Sequence, residues 1–264
     1  MNADAIIPIP YLNNRVYMTT PTYPQAETAA AIAANLAEIR QRIVRAAEEC
    51  QRDPNSIRLL PVSKTVNAQR LRLAHSCGMT ILGENKVQEA YDKWQELQDT
   101  DLKWAIIGHL QTNKAKYVAR FASEFQALDS LKIAEELDKR LQQENRQLDV
   151  FIQVNTSNEP QKYGISPENA EDFVRQLEAF RSLRLRGLMT LAIFSSDKDT
   201  VRQCFIRLRQ LRDQLQQINP DIAELSMGMS GDFELAIAEG ATTVRVGQAL
   251  FGARQQPDSY YWPN

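Results

Sequence analysis

The chain has 264 residues, 43% apolar and 24% charged, and 31 Lys and Arg against 33 Asp and Glu leave a net charge of −2. That is enough chain to bury a substantial core in one large domain or two small ones, and its charge balance offers no footprint for nucleic acid or an anionic membrane. Three widely spaced cysteines (Cys50, Cys77, Cys204) without a CxxC pair, and only two histidines (His75, His109), argue against a disulfide frame and a metal site and for buried thiols in a reducing cytoplasm.

No apolar run approaches the roughly 20 residues that span a bilayer. Residues 1–24 carry Pro8, Pro10, Pro21 and Pro24 without periodicity and are expected to form a flexible arm. From Gln25 to about Gln51, Ile32, Leu36, Ile39, Ile43 and Ala47 recur on one face of a long helix. Strand-like and helix-like segments then alternate. The expected strands are Arg58–Ser63, Thr80–Gly83, Lys103–Gly108, Phe125–Leu128, Asp149–Asn155, Leu183–Met189, Ala223–Ser226 and Thr243–Val246. Of the intervening helices, the clearest covers Thr200–Ile218, with Val201, Phe205, Leu208, Leu211, Leu215 and Ile218 on one stripe. Another opens at Ser166-Pro167-Glu168, with serine as cap and proline in the first turn.

Eight βα alternations imply parallel strands joined by helical crossovers. No GxGxxG follows the first strand, as an open doubly wound sheet would favour, and the even spacing points to a single (β/α)8 TIM barrel with an extra N-terminal helix. In such a barrel the chemistry lies just beyond the C-terminal end of each strand.

The first strand ends in Ser63-Lys64-Thr65. A half-buried lysine there can supply the free amine that attacks a carbonyl, although seven residues alone read more readily as a solvated lysine after a strand. Asn85, after the second strand, either faces the barrel mouth or caps the next helix. His109 follows the third strand. Met189, at the end of the sixth, is placed to pack against a flat ring beside Gly187, which permits a close backbone approach. The seventh strand leads into Ser226-Met-Gly-Met-Ser230 and the eighth into Arg245-Val-Gly247-Gln248, each followed by a helix. Barrels bind phosphate in these two loops, where free helix N-terminal N–H groups favour an anion. The plainer alternatives are a cap at Ser230, a turn at Gly247 and a surface salt bridge at Arg245. A lysine on one side of the mouth and a phosphate cup on the other suit a phosphorylated aldehyde such as pyridoxal 5′-phosphate (PLP), and an arginine is one known partner of its pyridine nitrogen.

The runs Pro61-Val-Ser-Lys-Thr65, Gly83-Glu-Asn-Lys-Val-Gln-Glu89, Ile107-Gly-His-Leu-Gln-Thr-Asn-Lys114, Leu225-Ser-Met-Gly-Met-Ser230 and Val244-Arg-Val-Gly-Gln-Ala-Leu-Phe-Gly252 together resemble the pyridoxal phosphate homeostasis proteins, single-domain relatives of the alanine racemase barrel. The resemblance covers roughly residues 25–252 and leaves out the arm and a short tail over 253–264. It implies PLP held as a Schiff base on Lys64 and phosphate contacts from Ser230, Ser226 and the backbone N–H groups of Gly247 and Gln248. It further implies that Arg245 faces the pyridine nitrogen and that Asn85, His109 and Met189 line the mouth, and it sets Lys162 in the loop where some members carry a second PLP-reactive lysine.

True racemases carry a second β-domain that supplies a catalytic tyrosine, and the two tyrosines in the tail, Tyr260 and Tyr261, have nothing to place them near the cofactor. The expectation is therefore a monomeric, cytoplasmic carrier that holds PLP without evident catalysis and hands it to apo-enzymes. A low-activity amino-acid racemase and a sugar-phosphate barrel without a Schiff base are the alternatives.

Overall fold

The computed structural model describes residues 23–159 and 161–253, so the arm over 1–24 and the tail over 253–264 lie outside the described residues except for Tyr23, Pro24 and Ala253. Eight strands, β1 (Arg58–Pro61), β2 (Ile81–Glu84), β3 (Lys103–Ile106), β4 (Glu124–Leu128), β5 (Leu148–Gln153), β6 (Leu183–Met189), β7 (Glu224–Ser226) and β8 (Thr243–Val246), pair in parallel in the order β1-β8-β7-β6-β5-β4-β3-β2. A parallel bridge from Val62 to Gly83, with the Ser63 N–H donating to the Gly83 carbonyl at 2.9 Å, closes β1 onto β2. The result is the expected (β/α)8 barrel, and its parallel strands carry all the expected site loops to one end.

The helices are α1 (Ala29–Glu49), α2 (Ala68–Ser76), α3 (Val87–Glu96), α4 (Ala115–Phe121), α5 (Leu131–Gln143), α6 (Ala170–Leu177), α7 (Lys198–Leu215), α8 (Phe233–Ala238) and α9 (Gln248–Phe251). The first begins four residues later than the periodicity suggests. Thr28 caps it, its hydroxyl accepting from the Ala31 N–H at 3.2 Å, while the Ala26 N–H is taken by the Phe251 carbonyl. Its buried face, Ile32, Leu36, Ile39, Ile43, Ala46 and Ala47, packs on α2, α8 and α9. Because α9 is a single turn, α1 takes the place in the outer ring that a full helix after β8 would fill. Each isoleucine or leucine on that face contributes roughly 1.5–3 kcal/mol by leaving water.

Along α7, capped by Asp197 accepting from the Asp199 N–H, Val201, Phe205, Leu208, Leu211 and Leu215 are buried. The expected serine cap at Ser166 takes another form: a 3₁₀ turn, Pro167–Asn169, comes first, the Ser166 side chain makes no capping bond, and α6 starts at Ala170. The thiols also differ in part from expectation, since Cys204 is buried but Cys50 and Cys77 are half-buried. Among the described residues, no helix is long and apolar enough to cross a membrane.

Candidate functional site

The seam between β1 and β8 positions Lys64. Pro61 pairs with Val246, and the Val62 N–H donates to the Val246 carbonyl at 2.9 Å. One residue on, Gly247 passes so close to Val62 that a Cβ would stand 3.0 Å from the Val62 carbonyl oxygen and 3.3 Å from its Cβ. Glycine is therefore what lets the loop after β8 lie against the strand two residues before Lys64. Lys64 itself is half-buried.

The loop after β7 turns at Gly228, whose φ of 91° lies in the left-handed region and whose absent Cβ would meet Ala236 Cβ at 2.6 Å. The Gly228 carbonyl accepts from the Arg245 N–H at 2.9 Å, tying the loop to β8. Beyond the turn Ser230 does not cap α8; Asp232 is its N-cap residue. The Ser230 hydroxyl faces the loop after β8 instead, accepting from the Ala249 N–H at 3.5 Å. Gly247 is the N-cap residue of α9, so Ser230, Gly247 and Gln248 gather around one helix N-terminus beside the end of β1.

Beneath them runs a buried polar chain. Arg245 donates through Nη1 to Ser226 Oγ and through Nη2 to the Thr190 carbonyl, each at 2.8 Å. Ser226 Oγ donates to Gln126 Oε1 at 2.7 Å, and Gln126 Nε2 to Glu124 Oε2 at 2.9 Å. Glu124 in turn pairs through both oxygens with Arg58. Since β4 neighbours neither β1 nor β7, this chain crosses the barrel interior. Burial pushes the Arg245 guanidinium down to about 10, with Asp232 acting against the shift, so it stays charged at neutral pH. Burial also pushes the Asp232 carboxyl up, opposed by the Met229 N–H and by Arg245.

Of the two readings of Arg245, the plainer one, a surface salt bridge, is set aside, since the residue is 3% exposed. Ser226 was expected on phosphate, but it is fully buried and its hydroxyl is engaged as donor to Gln126 and acceptor from Arg245. Ring packing by Met189 meets a similar obstacle, because its side chain is fully buried. Gly187 does permit a close approach, in its case to the backbone of Glu224 on the neighbouring strand.

Asn85 is half-buried and does not cap α3, whose N-cap residue is Lys86. Its backbone is so close to Gly108 that any side chain there would overlap the Asn85 carbonyl, which sets Asn85 beside His109. The His109 ring stacks on Tyr163 with centroids 4.1 Å apart and planes 14° from parallel, and its Nδ1 lies 3.9 Å from Asp129 Oδ2. Burial pushes the Asp129 carboxyl up, while His109 and the Gly164 N–H pull it down. Lys162 donates to the Ala192 carbonyl at 3.0 Å and pairs with Glu159 at 2.5 Å.

Behind Lys64 lies a second buried cluster. Lys93 Nζ donates to the Ser63 carbonyl at 3.0 Å, to Glu84 Oε1 at 2.8 Å and to Glu89 Oε1 at 2.6 Å. Glu84 is fully buried, and burial pushes its carboxyl up against the pull of Lys93 and Ser63. Sequence reasoning passed over Gln126, Thr190, Asp129, Tyr163, Glu84 and Lys93 as site residues. A signal existed for Gln126: Glu124 and Gln126 alternate with apolar residues in a strand buried at every position.

The family described as alanine racemase, N-terminal domain, matches residues 28–255 of the chain. The pyridoxal phosphate homeostasis protein of Aquifex aeolicus is 42% identical over 221 residues, covering 83% of this chain and 97% of its own. That of Pseudomonas aeruginosa is 42% identical over 223 residues, 84% of this chain and 96% of its own. Among solved structures, PipY of Synechococcus elongatus with PLP bound superimposes with a TM-score of 0.75 at 37% identity, covering 84% of this chain and all of its own.

Proposed function

The chain belongs to the alanine racemase N-terminal domain family, among its pyridoxal phosphate homeostasis proteins, and on that premise we propose that it binds PLP, carries it as a Schiff base on Lys64 and serves intracellular PLP homeostasis. The observation that carries this reading is the β1–β8 seam, where Gly247 packs on Val62 and so sets the Ser230–Gln248 cup beside the strand that leads into Lys64. The residues fit the group. Ser230 and the N–H groups of Gly247 and Gln248 suit its phosphate, and the buried Arg245 guanidinium suits its pyridine nitrogen as a hydrogen-bond donor. Asn85 and His109 flank the opening. Ser226 acts from below, holding Arg245 in place, and Met189 supports the wall from within the core.

When bound, PLP supplies an aldehyde for Schiff-base chemistry and a ring that withdraws electrons. The protein tempers the second property. Arg245 is charged at neutral pH and can only donate, so it disfavours a proton on the pyridine nitrogen and leaves the ring a weak electron sink. This supports holding and delivering PLP to apo-enzymes over turning over amino acids. The near-neutral balance of charge and the three free cysteines support a cytoplasmic carrier without nucleic-acid or membrane partners, and we propose that it acts as a monomer.

Titration of the purified protein with PLP tests the reading. A Schiff-base absorbance band is expected in the wild type and absent in Lys64→Ala, with loaded protein activating a PLP-dependent apo-enzyme on mixing. Cα–deuterium exchange of a panel of amino acids is expected to proceed no faster than with free PLP. An unchanged band in Lys64→Ala overturns the covalent assignment, and faster exchange overturns the carrier role.

A further inference from the structure

The backbone on both sides of Lys64 is gripped by side chains from the next βα unit. The Ser63 carbonyl accepts from Lys93 Nζ at 3.0 Å, the Ser63 hydroxyl donates to Glu84 Oε1 at 2.6 Å, and the Thr65 N–H donates to Glu89 Oε1 at 2.8 Å. Lys93 joins the two carboxylates, so its three ammonium hydrogens are matched by Ser63, Glu84 and Glu89. Ser63 and Glu84 are fully buried and Lys93 nearly so, while Glu89 reaches the surface. One oxygen of Glu84, Oε2, is buried with no hydrogen-bond partner.

What the grip holds is a strained turn. The Val66 N–H closes it onto the Ser63 carbonyl at 2.9 Å, and Thr65 sits at φ 69°. Turns with positive φ at their third residue take glycine or asparagine there, and a β-branched residue is an outlier. Such strain persists only where surrounding contacts over-determine the conformation. A buried ion cluster spent on an ordinary strand end would be costly and unneeded, because hydrophobic packing gives equal stability without the desolvation of three charges.

We propose that Lys93, Glu84 and Glu89 are positioning residues for Lys64: they lock the Ser63–Val66 turn so that the Lys64 side chain leaves β1 in the direction that meets the PLP aldehyde. The inference rests on the reading of Lys64 as the PLP-bearing residue. Forming that link joins the Lys64 nitrogen to the aldehyde carbon, and the two amine hydrogens depart with the aldehyde oxygen as water. The clamp acts through the direction of the lysine.

The test compares wild type with Glu89→Ala and Glu89→Gln, changes at a half-exposed position. Stopped-flow measurement of Schiff-base formation with PLP reports on Lys64, while binding of pyridoxine 5′-phosphate, which has no aldehyde, reports on the phosphate cup and ring floor alone. Glu89→Ala is expected to slow Schiff-base formation by about tenfold to a hundredfold, the scale of a small misplacement of a reacting group. Its affinity for pyridoxine 5′-phosphate should stay within about twofold, and Glu89→Gln, which still accepts from the Thr65 N–H, should recover most of the rate. Lys93→Met should act in the same direction. Schiff-base formation at the wild-type rate in Glu89→Ala, or an equal loss of pyridoxine 5′-phosphate binding, overturns the positioning role. A wild-type protein that forms no Schiff base on Lys64 overturns the underlying reading and the inference with it.

Discussion

Ser226 and Ser230 lie four residues apart in one motif, and the barrel gives them opposite roles that a pair of alanine variants separates. Ser226→Ala removes a fully buried hydroxyl that donates to Gln126 at 2.7 Å and accepts from the Arg245 guanidinium at 2.8 Å. A neutral hydrogen bond contributes about 0.5–1.5 kcal/mol and one to a charged group about 1.5–3, so the expected loss is about 3 kcal/mol. In a domain of this size that corresponds to a fall in Tm of roughly 6–12 °C. Ser230→Ala removes only a half-buried hydroxyl whose contact with the Ala249 N–H is 3.5 Å long, and stability should change by about 0.5 kcal/mol or less. Its effect should fall on phosphate: losing one charge-assisted bond weakens pyridoxine 5′-phosphate binding by about tenfold to a hundredfold. Urea unfolding and calorimetric binding on both variants read the two effects independently. A Ser226→Ala protein as stable as wild type but weakened in phosphate binding would refute this division of roles.

Two further outcomes follow from single positions. Gly247→Ala places a methyl group 3.0 Å from the Val62 carbonyl oxygen, so β1 and β8 must separate; a destabilisation of about 1–3 kcal/mol is expected, together with weaker PLP binding, measured by urea unfolding and PLP titration. Asp129 has a carboxyl held above its ordinary value of 3.8 by burial, so between that value and its folded-state pKa the native protein binds more protons than the unfolded chain. Its contribution to stability is full at low pH and is lost as pH rises through the folded-state pKa. In Asp129→Asn, urea unfolding from pH 4 to 7 should lack this decline, and an unchanged pH profile would contradict the assignment.

The eight strands were legible because short segments with recurring apolar residues alternate with helix-like ones, and β6 and β8 begin and end where that pattern places them. Ends misjudged by a residue or two have local causes. β5 was expected to run to Asn155 but stops at Gln153, because Val154 bridges to Ile165 in the loop that follows. The gathering of Lys64, Ser230, Gly247 and Arg245 at one end was legible because a parallel barrel carries every strand end to the same face. The floor was not. Gln126 finds its partner Ser226 100 residues away, and Glu124 finds Arg58 at a distance of 66, so no local period couples them. The buried role of Ser226 was hidden for the same reason: its local motif, Leu225-Ser226-Met227-Gly228, gives no sign of Gln126 and Arg245, its partners 100 and 19 residues away. The clamp behind Lys64 was hidden differently. Glu89 and Lys93 read as an ordinary helical i, i+4 pair, and only the fold shows that their shared charge is turned inward onto Ser63 and Thr65.

Whether Lys64 carries PLP is read by borohydride reduction of the PLP-loaded wild-type protein followed by peptide mapping by mass spectrometry. One stable pyridoxyl group is expected on the peptide that contains Lys64, formed in proportion to the PLP bound. A protein that stays unlabelled, or that carries the group on Lys162 or Lys93 with Lys64 unmodified, would contradict the assignment of PLP to Lys64.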